Sequence, residues 1–554
     1  MKETNLIRAL NRLNRGSQGA VQNGTALSDL DLYLHVKRPI EDIVRKNLND
    51  INSLNGGLLL LVGSAGDGKS HIISQLRSEP PFSDFVFLND ATEGCSPEMS
   101  AVETLKYNLS SYSDYFLSKD CNDKTVIAIN QGKLLDLIEE DSFNEQFHQL
   151  KGLIEKKFNE GDVGDGKIRI ISLALQQAFE LNLNTSADYP VESSFMLQIM
   201  EKITAKNDSN PFYSAYKKDL ENADPHSIDP VLINYELLQC KNIQKAIVKL
   251  IIEAIIRFDL TITPRDFLDF IHSVLVFPKW RNFKEQEDVF HALLPTLIFN
   301  SSDNKVQKAL SMLDPLNASN VEHEKRLSRL NAASSYKDVS MNLDGVELSL
   351  KNNLEKLLIK CFNQKQSIET SCMIFRIEHL LNYHSESYPY KDFLSKLVGY
   401  YKQDSFTYED LEILIKEAIP RHYGSYFSES DCIPLNIQGR KYKIFASLDF
   451  EEPEFYPKFD PSKPHLFDRK IKMIWTFKGE EVPLNIDYHL FEHLYELKCG
   501  KLATTYEGEK NLTFSNFIRK ISQYSSADTK VFIMDNENEK TVFSMKKSGL
   551  LRME

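Results

Sequence analysis

The chain has 554 residues, 42% of them hydrophobic and 26% charged, and its formal net charge is −13. These proportions are ordinary for a folded chain of several domains, and the acidic balance excludes a polybasic protein that coats nucleic acid, so any DNA contact needs a local patch or a partner subunit. The seven cysteines are scattered without a C-x-x-C pair and no apolar run is long enough to span a membrane, which favours a cytoplasmic protein without a membrane partner.

Residues 1–50 are predicted to form an N-terminal helical arm and a lead-in to the next domain. Within the arm, Leu6, Ile7, Leu10 and Leu13 recur at helical spacing. This pattern predicts a short amphipathic helix, which either packs as an arm on the rest of the protein or docks on a partner.

The most informative stretch follows at residues 58–76 and reads LLLLVGSAGDGKSHIISQL. An apolar, strand-like run enters a glycine-rich segment, and a helix-compatible segment leaves it. The glycine-rich segment fits G-x-x-x-x-G-K-[ST], the pattern of a phosphate-binding loop, in the strand–loop–helix setting that the pattern requires. The residues predicted to bind a nucleotide are Gly63, Ser64, Ala65, Gly66, Asp67, Gly68, Lys69, Ser70 and His71.

The residue types of this motif suit a triphosphate. Gly63, Gly66 and Gly68 allow positive φ angles and a close approach of the backbone to an anion. Successive N–H groups form a concave nest, and the following helix adds the positive end of its dipole. Lys69 would reach the β- and γ-phosphates, and Ser70 would ligate Mg²⁺. The motif therefore predicts that ATP and Mg²⁺ bind here.

Further strands are predicted after the motif at FVFLND (85–90), TVIAIN (125–130) and KIRIISLAL (167–175). Strands that alternate with helices indicate a parallel sheet covered by helices, and function in such sheets lies at the carboxyl ends of the strands. The polar residues at or just after those ends are Asp90, Thr92, Glu93, Asn130 and Ser172.

These patterns predict an AAA-like α/β P-loop NTPase, with a parallel sheet and a helical lid, followed by a C-terminal α+β region. The nucleotide-binding core is expected over residues 51–235, where 186–235 is an insertion or connector. The helical lid is expected over 236–300, a helical linker region over 301–371, and the α+β domain over 372–554.

Segments on both sides of the core are expected to border the nucleotide. The lead-in carries Tyr33 and His35, and in many AAA-like ATPases such a segment touches the adenine; here it does so or packs on the sheet as a helix and turn. In the lid, TITPRDF offers Thr263 as a helix cap and Pro264 at the first helical position. Arg265 is then placed like a second sensor that reads the γ-phosphate, or is an exposed residue at a helix start.

Hydrolysis needs an acid to hold Mg²⁺ through water and a base or polariser for the attacking water, and a neutral amide can orient water but accepts no proton. The third predicted strand ends in Asn130 and Gln131, which are neutral, whereas the second supplies Asp90 and Glu93. Three interpretations stay open: Asp90 and Glu93 supply the carboxylates of a slow or partner-activated ATPase, the site binds nucleotide as a structural switch, or Asp90 is only a helix cap. The candidate catalytic residues are Lys69, Asp90, Glu93, Asn130 and Arg265, and the candidate Mg²⁺ ligands are Ser70 and Asp90.

Three other segments match patterns that are associated with binding or catalysis. The sequence HLFEH at 489–493 matches the H-x-x-E-H pattern of one class of zinc peptidase, but packing residues share its helix and little chain remains for a further ligand. GDVGDGK (161–167) favours a connector, because no strand precedes it. PKWRNFK (278–284) interleaves cations with aromatic rings, which suits either a DNA contact or a solvated edge of the lid.

Several segments resemble one family. GSAGDGKSHIIS, the strand FVFLNDATEG, the segment ETL (103–105) and AINQGKLLDLI together resemble the DptF (DndF) family, the ATPase-like subunits of bacterial DNA phosphorothioation-dependent restriction systems. YLHVKRPIED upstream and TPRDFLDFI downstream extend the likeness over roughly residues 25–300, and it is more diffuse beyond.

The resemblance implies that the chain works with the partner subunits DptG and DptH against DNA that lacks the backbone sulfur. ATP would power or gate that complex, DNA contact would be direct or indirect, and no nuclease site is seen in this chain. Two alternatives stay open. One is a nucleotide-locked scaffold whose C-terminal region recruits the other subunits, and the other is an unrelated AAA-like loader or signalling ATPase.

Overall fold

The computed structural model describes residues 2–14, 28–89, 101–117, 122–160, 166–184, 189–224, 228–284, 289–302, 304–318, 321–333, 335, 338–339, 346–363, 367–383, 387–423, 432–434, 443–448, 450–501, 511–524, 530–534, 540–545 and 551–553. The α-helices of these residues are α1 (Asn5–Asn11), α2 (Asp29–Leu34), α3 (Pro39–Ser53), α4 (Lys69–Arg77), α5 (Ala101–Leu109), α6 (Asp114–Leu117), α7 (Gln131–Glu139), α8 (Asp141–Asn144), α9 (His148–Glu160), α10 (Ser194–Thr204), α11 (Pro211–Glu221), α12 (Pro230–Gln239), α13 (Lys241–Arg257), α14 (Pro264–Leu275), α15 (Leu294–Phe299), α16 (Lys305–Ser311), α17 (Val321–Ala332), α18 (Leu348–Asn363), α19 (Ser367–Leu381), α20 (Tyr388–Lys402), α21 (Ser405–His422), α22 (Tyr488–Lys498) and α23 (Leu512–Ile521).

The strands are β1 (Gly57–Gly63), β2 (Val86–Leu88), β3 (Lys124–Asn130), β4 (Ile168–Ser172), β5 (Glu180–Leu181), β6 (Val191–Glu192), β7 (Cys432–Pro434), β8 (Lys443–Ser447), β9 (Glu454–Phe455), β10 (Ile471–Phe477), β11 (Glu480–Ile486), β12 (Lys530–Met534), β13 (Lys540–Met545) and β14 (Leu551–Met553). The chain divides into two compact units. The first comprises Met1–Phe179, Ser193–Ala254 and Thr261–His384, and the second comprises Glu180–Glu192, Ile255–Leu260 and Ser385–Glu554. The five-segment division predicted from the sequence stays a prediction.

The first unit contains a four-stranded parallel sheet in the order β2-β3-β1-β4. Strand β1 lies inside the sheet, and all seven of its residues are buried. A strand buried on both faces is expected to be continuously apolar, and the run of leucines in β1 satisfies that requirement. The three strands predicted after the motif coincide with β2, β3 and β4, which confirms them and the α/β class of this part of the chain.

Side chains of β1 alternate between the two faces of the sheet. Leu58, Leu60 and Val62 pack against apolar residues of α5, α7 and α9. Leu59 and Leu61 face the other way, against α3 and α4. Because successive side chains of a strand point to opposite faces, one leucine run fills two cores. These two layers hold the carboxyl end of β1 in a fixed position.

Over the described residues, the rest of the first unit consists of helices and the segments that connect them. The N-terminal helix α1 packs against α11, and the backbone amides of Asn5 and Leu6 donate to the Asp219 carboxylate at 3.1 and 2.7 Å. The four leucine and isoleucine side chains of the predicted apolar face, from residue 6 to residue 13, are fully buried. The prediction of a packed arm is confirmed. Residues 186–235, predicted as an insertion or connector, contain α10 and α11 and part of α12.

The second unit combines antiparallel sheets with helices. One sheet has the order β11-β10-β9, a second has the order β14-β13-β12-β8-β7, and β5 pairs with β6. Helix α23 packs on β11, and the buried Trp475 ring of β10 lies 5.0 Å from the Phe517 ring of α23. The predicted hairpin of KVFIMDNENEKTVFSM is present as the antiparallel pair β12–β13. A C-terminal region that mixes helices with antiparallel strands is therefore confirmed.

None of the described helices is both long enough and apolar enough to cross a lipid bilayer.

Candidate functional site

The candidate site lies at the carboxyl end of β1. Gly63 pairs with Asn130 of β3, and Val62 pairs with Ser172 of β4. Three strands therefore end at the same level, and the segment of residues 63–70, named the glycine loop here, leaves the sheet between them. This edge is where ligands bind in open parallel sheets.

Two glycines give the loop its shape. Gly66 has φ 89° and Gly68 has φ 84°, ψ 20°, both in the left-handed region that side chains disfavour. Gly68 is also the N-cap of α4, so the loop ends where the unpaired N–H groups of a helix begin. This conformation, alternating into the left-handed region before a helix, is the kind that gathers backbone N–H groups around an anion.

Polar side chains of the loop bond to its own backbone. Lys69 Nζ donates to the carbonyl oxygens of Gly63 at 3.0 Å and of Ser64 at 2.7 Å. The Asp67 carboxylate accepts a hydrogen bond from the Ser64 amide. Burial raises the pKa of the Asp67 carboxyl above its ordinary value, while the Ser64 amide and the charges of Lys69 and Arg38 act in the opposite direction. The loop thus holds an ammonium and a carboxylate within its own fold, and the Ser70 hydroxyl is exposed beside them.

Arg38 contacts the loop from the lead-in. Its Nη1 donates to the Asp67 carbonyl oxygen at 2.9 Å, and a Cβ added to Gly68 would stand 2.8 Å from its Nη2. Burial lowers the pKa of the guanidinium, and the charges of Glu41 and Asp67 oppose that shift. Sequence reasoning missed Arg38. Pro39, at the first position of α3, marks residue 38 as the residue before a helix, but no local signal shows that its side chain reaches the loop.

A histidine pair makes a second contact between the lead-in and the loop. His71 Nε2 lies 2.8 Å from His35 Nδ1, and the two rings stack with centroids 5.1 Å apart. His35 Nε2 is 3.5 Å from the Glu41 carboxylate, which is buried and accepts from the Arg38 amide at 3.1 Å. The prediction that the lead-in packs as a helix and turn agrees with these contacts, and the prediction that it touches adenine stays a prediction.

The start of α14 lies on the other flank of the loop. A Cβ added to Gly66 would stand 2.8 Å from Thr263 Oγ1 and 3.2 Å from Arg265 Cβ. Thr263 and Asp266 form a capping box at this helix start, and Lys305 Nζ lies 2.6 Å from Asp266 Oδ2. The predicted cap at Thr263 is confirmed. Arg265 therefore lies in the first turn of a helix whose start contacts the loop, as its predicted sensor role requires, and that role stays a prediction.

Among the described residues, the strand ends at this edge of the sheet carry amide and hydroxyl side chains and no carboxylate. Asn130 closes β3, and its Oδ1 accepts from the Gly132 amide at 2.9 Å as the N-cap of α7. At the end of β2, the Asn89 side-chain oxygen is buried without a hydrogen-bond partner among the described residues. Asp90 and Glu93, predicted to supply the carboxylates, lie outside the described residues, and so does Thr92.

The H-x-x-E-H motif of the second unit is used in a hydrogen-bonded network. His493 Nε2 lies 2.9 Å from His422 Nδ1, and His422 Nε2 lies 3.0 Å from Ser515 Oγ. His489, the other histidine of the motif, is exposed. Over the part of the chain that the structure describes, no group of three or more His, Cys, Asp or Glu could hold a metal ion. The motif joins helices α21, α22 and α23.

The burial of His422 in this network is expected to make the stability of the protein depend on pH. Burial, with a smaller effect of His493, lowers the pKa of His422 from 6.5 to about 4. As the pH falls below 6.5 the unfolded chain takes up a proton that folded His422 does not, so up to about 3 kcal/mol of stability is lost by pH 4. We expect the midpoint of thermal unfolding to fall over this range in the wild type. The His422→Gln variant should be less stable at pH 7 but show a weaker pH dependence.

Burial also lowers the pKa of His272 to about 4. Because His272 is present in both the wild type and His422→Gln, a difference between their pH dependences is due to His422. Equal slopes of the midpoint against pH in the two proteins would contradict the prediction.

Of the two remaining motifs, PKWRNFK is described by the structure and GDVGDGK mostly is not. In PKWRNFK the Trp280 ring is buried and Arg281 covers it at 4.6 Å, while Phe277 and Phe283 pack edge to face. The buried Trp280 ring offers no stacking platform, so the solvated-edge interpretation of this segment is favoured. Most of GDVGDGK, at residues 161–165, lies outside the described residues.

Comparisons with models of known families, with curated proteins and with solved structures find no match for this chain.

Proposed function

We propose that this chain binds Mg²⁺·ATP at the glycine loop and serves as the ATPase-like subunit of a DNA phosphorothioation-dependent restriction complex. One observation carries the nucleotide-binding part of the proposal. Residues 63–70 connect an interior strand of a parallel sheet to the N-terminus of α4, with Gly66 and Gly68 at positive φ. A segment of that geometry and sequence is suited to enclose a phosphate chain.

Different residues of the glycine loop would contact the phosphates and the Mg²⁺ ion. Backbone N–H groups from Gly66 to Lys69 would contact the phosphates, and the Lys69 ammonium would exchange its carbonyl partners for phosphate oxygens. The exposed Ser70 hydroxyl, in the first turn of α4, fits a ligand of the Mg²⁺ that arrives with the nucleotide. On the other flank, Arg265 would respond to the γ-phosphate through the start of α14.

Hydrolysis of the bound nucleotide would need acidic side chains near the Mg²⁺ ion and the attacking water. Asp90 and Glu93 are the proposed acids, and they lie two and five residues after Leu88, the last residue of β2. A second candidate function is a nucleotide-bound scaffold without hydrolysis. It is favoured by Asn130, because a neutral side chain engaged as a helix cap occupies the end of the strand next to β1. A neutral amide attracts Mg²⁺ less than a carboxylate and accepts no proton.

The restriction role rests on the sequence resemblance. The partners that it implies are DptG and DptH, with DNA lacking the sulfur modification as the target. A net charge of −13 favours a chain that reaches DNA mainly through those partners. Nucleotide would then gate or power the complex, and DNA cleavage would belong to another subunit.

Calorimetric titration with Mg²⁺·ATP tests the nucleotide site, and release of inorganic phosphate tests hydrolysis. We expect binding by the isolated chain, and phosphate release that rises when DptG, DptH and unmodified DNA are added. Release that stays at background with all partners present, while ATP still binds, would support the scaffold instead. Absence of any binding heat with ATP or GTP would overturn both functions.

A further inference from the structure

Arg38 lies where it can control one peptide group of the glycine loop. Its Nη1 donates to the Asp67 carbonyl oxygen at 2.9 Å. In a planar trans peptide the carbonyl of residue 67 and the N–H of Gly68 point in opposite directions. A donor that holds this carbonyl on one side therefore directs the Gly68 N–H to the other side.

The backbone at this point has freedom that needs such a restraint. Gly68 has φ 84°, and glycine can occupy positive and negative φ at similar cost, so the peptide before it can rotate more easily than one before another residue. The guanidinium also fills the space beside Gly68, since a Cβ there would stand 2.8 Å from Arg38 Nη2. Arg38 thus restrains the peptide both by a hydrogen bond and by contact.

The surroundings hold the guanidinium itself in place. The Arg38 amide donates to Glu41 at 3.1 Å, and the Glu41 amide donates to the Arg38 carbonyl at 2.9 Å. The guanidinium carbon lies 5.9 Å from the centre of the Phe195 ring, within cation–π range. Glu41 is buried, and its charge stabilises that of Arg38. The Phe195 ring and the charge of Glu41 therefore favour the position in which the guanidinium contacts the loop.

We infer that Arg38 is a positioning residue for nucleotide binding, which presents the Gly68 N–H to the phosphate chain without contacting the nucleotide. This inference rests on the proposed function. The N–H groups of such a loop enclose phosphates that ATP and ADP share, whereas only ATP carries the γ-phosphate. A residue that acts through the Gly68 N–H must therefore affect the two nucleotides alike.

The test compares the dissociation constants of ATP and ADP for the wild type, Arg38→Met and Arg38→Lys. Methionine keeps an apolar stem but removes the donor, and we expect it to weaken both nucleotides by the same factor, roughly tenfold, as for one lost hydrogen bond to a charged group. Lysine keeps a charge but lacks the planar fork, and should cause a smaller loss that is again equal for both.

Arg45→Met is the matched control. Arg45 lies on α3 seven residues after Arg38 and binds Glu79 through Nε at 3.1 Å and Nη2 at 2.6 Å, so its loss removes a guanidinium whose partner lies outside the glycine loop. We expect Arg45→Met to leave both dissociation constants unchanged. Thermal unfolding without nucleotide shows whether each variant is folded.

A loss confined to ATP would overturn the inference, because it would mean that the guanidinium contacts the γ-phosphate directly. Unchanged affinities in folded Arg38→Met would overturn it too. If Arg38→Met does not fold, Arg38→Lys decides: an equal loss for ATP and ADP supports positioning, and no loss or a loss for ATP alone overturns it. If the wild type binds neither nucleotide, the proposed function itself fails.

Discussion

Replacing Lys69 with alanine is expected to weaken ATP binding at least about a hundredfold and to abolish phosphate release. The ammonium is held at the mouth of the loop by the carbonyl oxygens of Gly63 and Ser64, at 3.0 and 2.7 Å. In the bound state it would exchange these neutral acceptors for phosphate oxygens. Two hydrogen bonds between opposite charges contribute together about 3 kcal/mol or more, which corresponds to that factor. Calorimetric titration with Mg²⁺·ATP measures the change.

Lys106→Ala is a suitable control for this experiment. Lys106 is also a partly buried lysine of the first unit, and its Nζ lies 3.5 Å from the Glu140 carboxylate. This control should bind ATP like the wild type. If Lys69→Ala itself retains wild-type affinity, the phosphates are not held by the glycine loop, and the proposed site is wrong.

The largest effect on stability is expected for Asp314→Ala. Asp314 and Arg376 are only 8% and 14% exposed, and the guanidinium binds both carboxylate oxygens, with Nε 3.2 Å from Oδ1 and Nη2 on Oδ2. Asp314 also accepts from the Leu316 amide at 3.2 Å. Removing the carboxylate leaves a buried cation without its counter-charge, which typically costs about 3–5 kcal/mol. Unfolding by urea, followed by circular dichroism, measures the loss.

Two comparisons sharpen this prediction. The double variant Asp314→Ala, Arg376→Met removes both charges and should be more stable than Asp314→Ala alone. Glu322→Ala breaks the exposed pair with Lys325 and should change the free energy of unfolding by about 0.5 kcal/mol or less. A loss for Asp314→Ala as small as that of Glu322→Ala would show that the pair contributes little.

The elements around the site could be predicted because their signals are local. A few neighbouring residues are enough to predict each of these elements. They are the leucine run of β1, the glycines after it, and the helix start at Thr263 and Pro264. Alternating strands and helices were likewise enough to place Asn130 at the same end of the sheet as Gly63, because a parallel sheet aligns the carboxyl ends of its strands.

Contacts between distant segments could not be predicted in the same way. Arg38 reaches the loop across 29 residues, and no local pattern states which carbonyl a long side chain will bind. The pairing of His493 with His422, 71 residues away, had no periodic signal either. The burial of Trp280 could not be predicted either, because composition alone does not show whether an aromatic ring faces solvent or the core.

The contacts of the lead-in show how long a fragment of this protein must be to keep the site intact. A piece that begins at Gly57 would keep the motif and its sheet but lose Arg38, His35 and the buried Glu41 that orders them. A piece that stops before Thr263 would leave Gly66 without the helix start that packs on it. The proposed nucleotide site therefore depends on segments well outside the eight residues of the glycine loop, and a fragment whose ends are chosen from the motif alone would lack the residues that contact the loop.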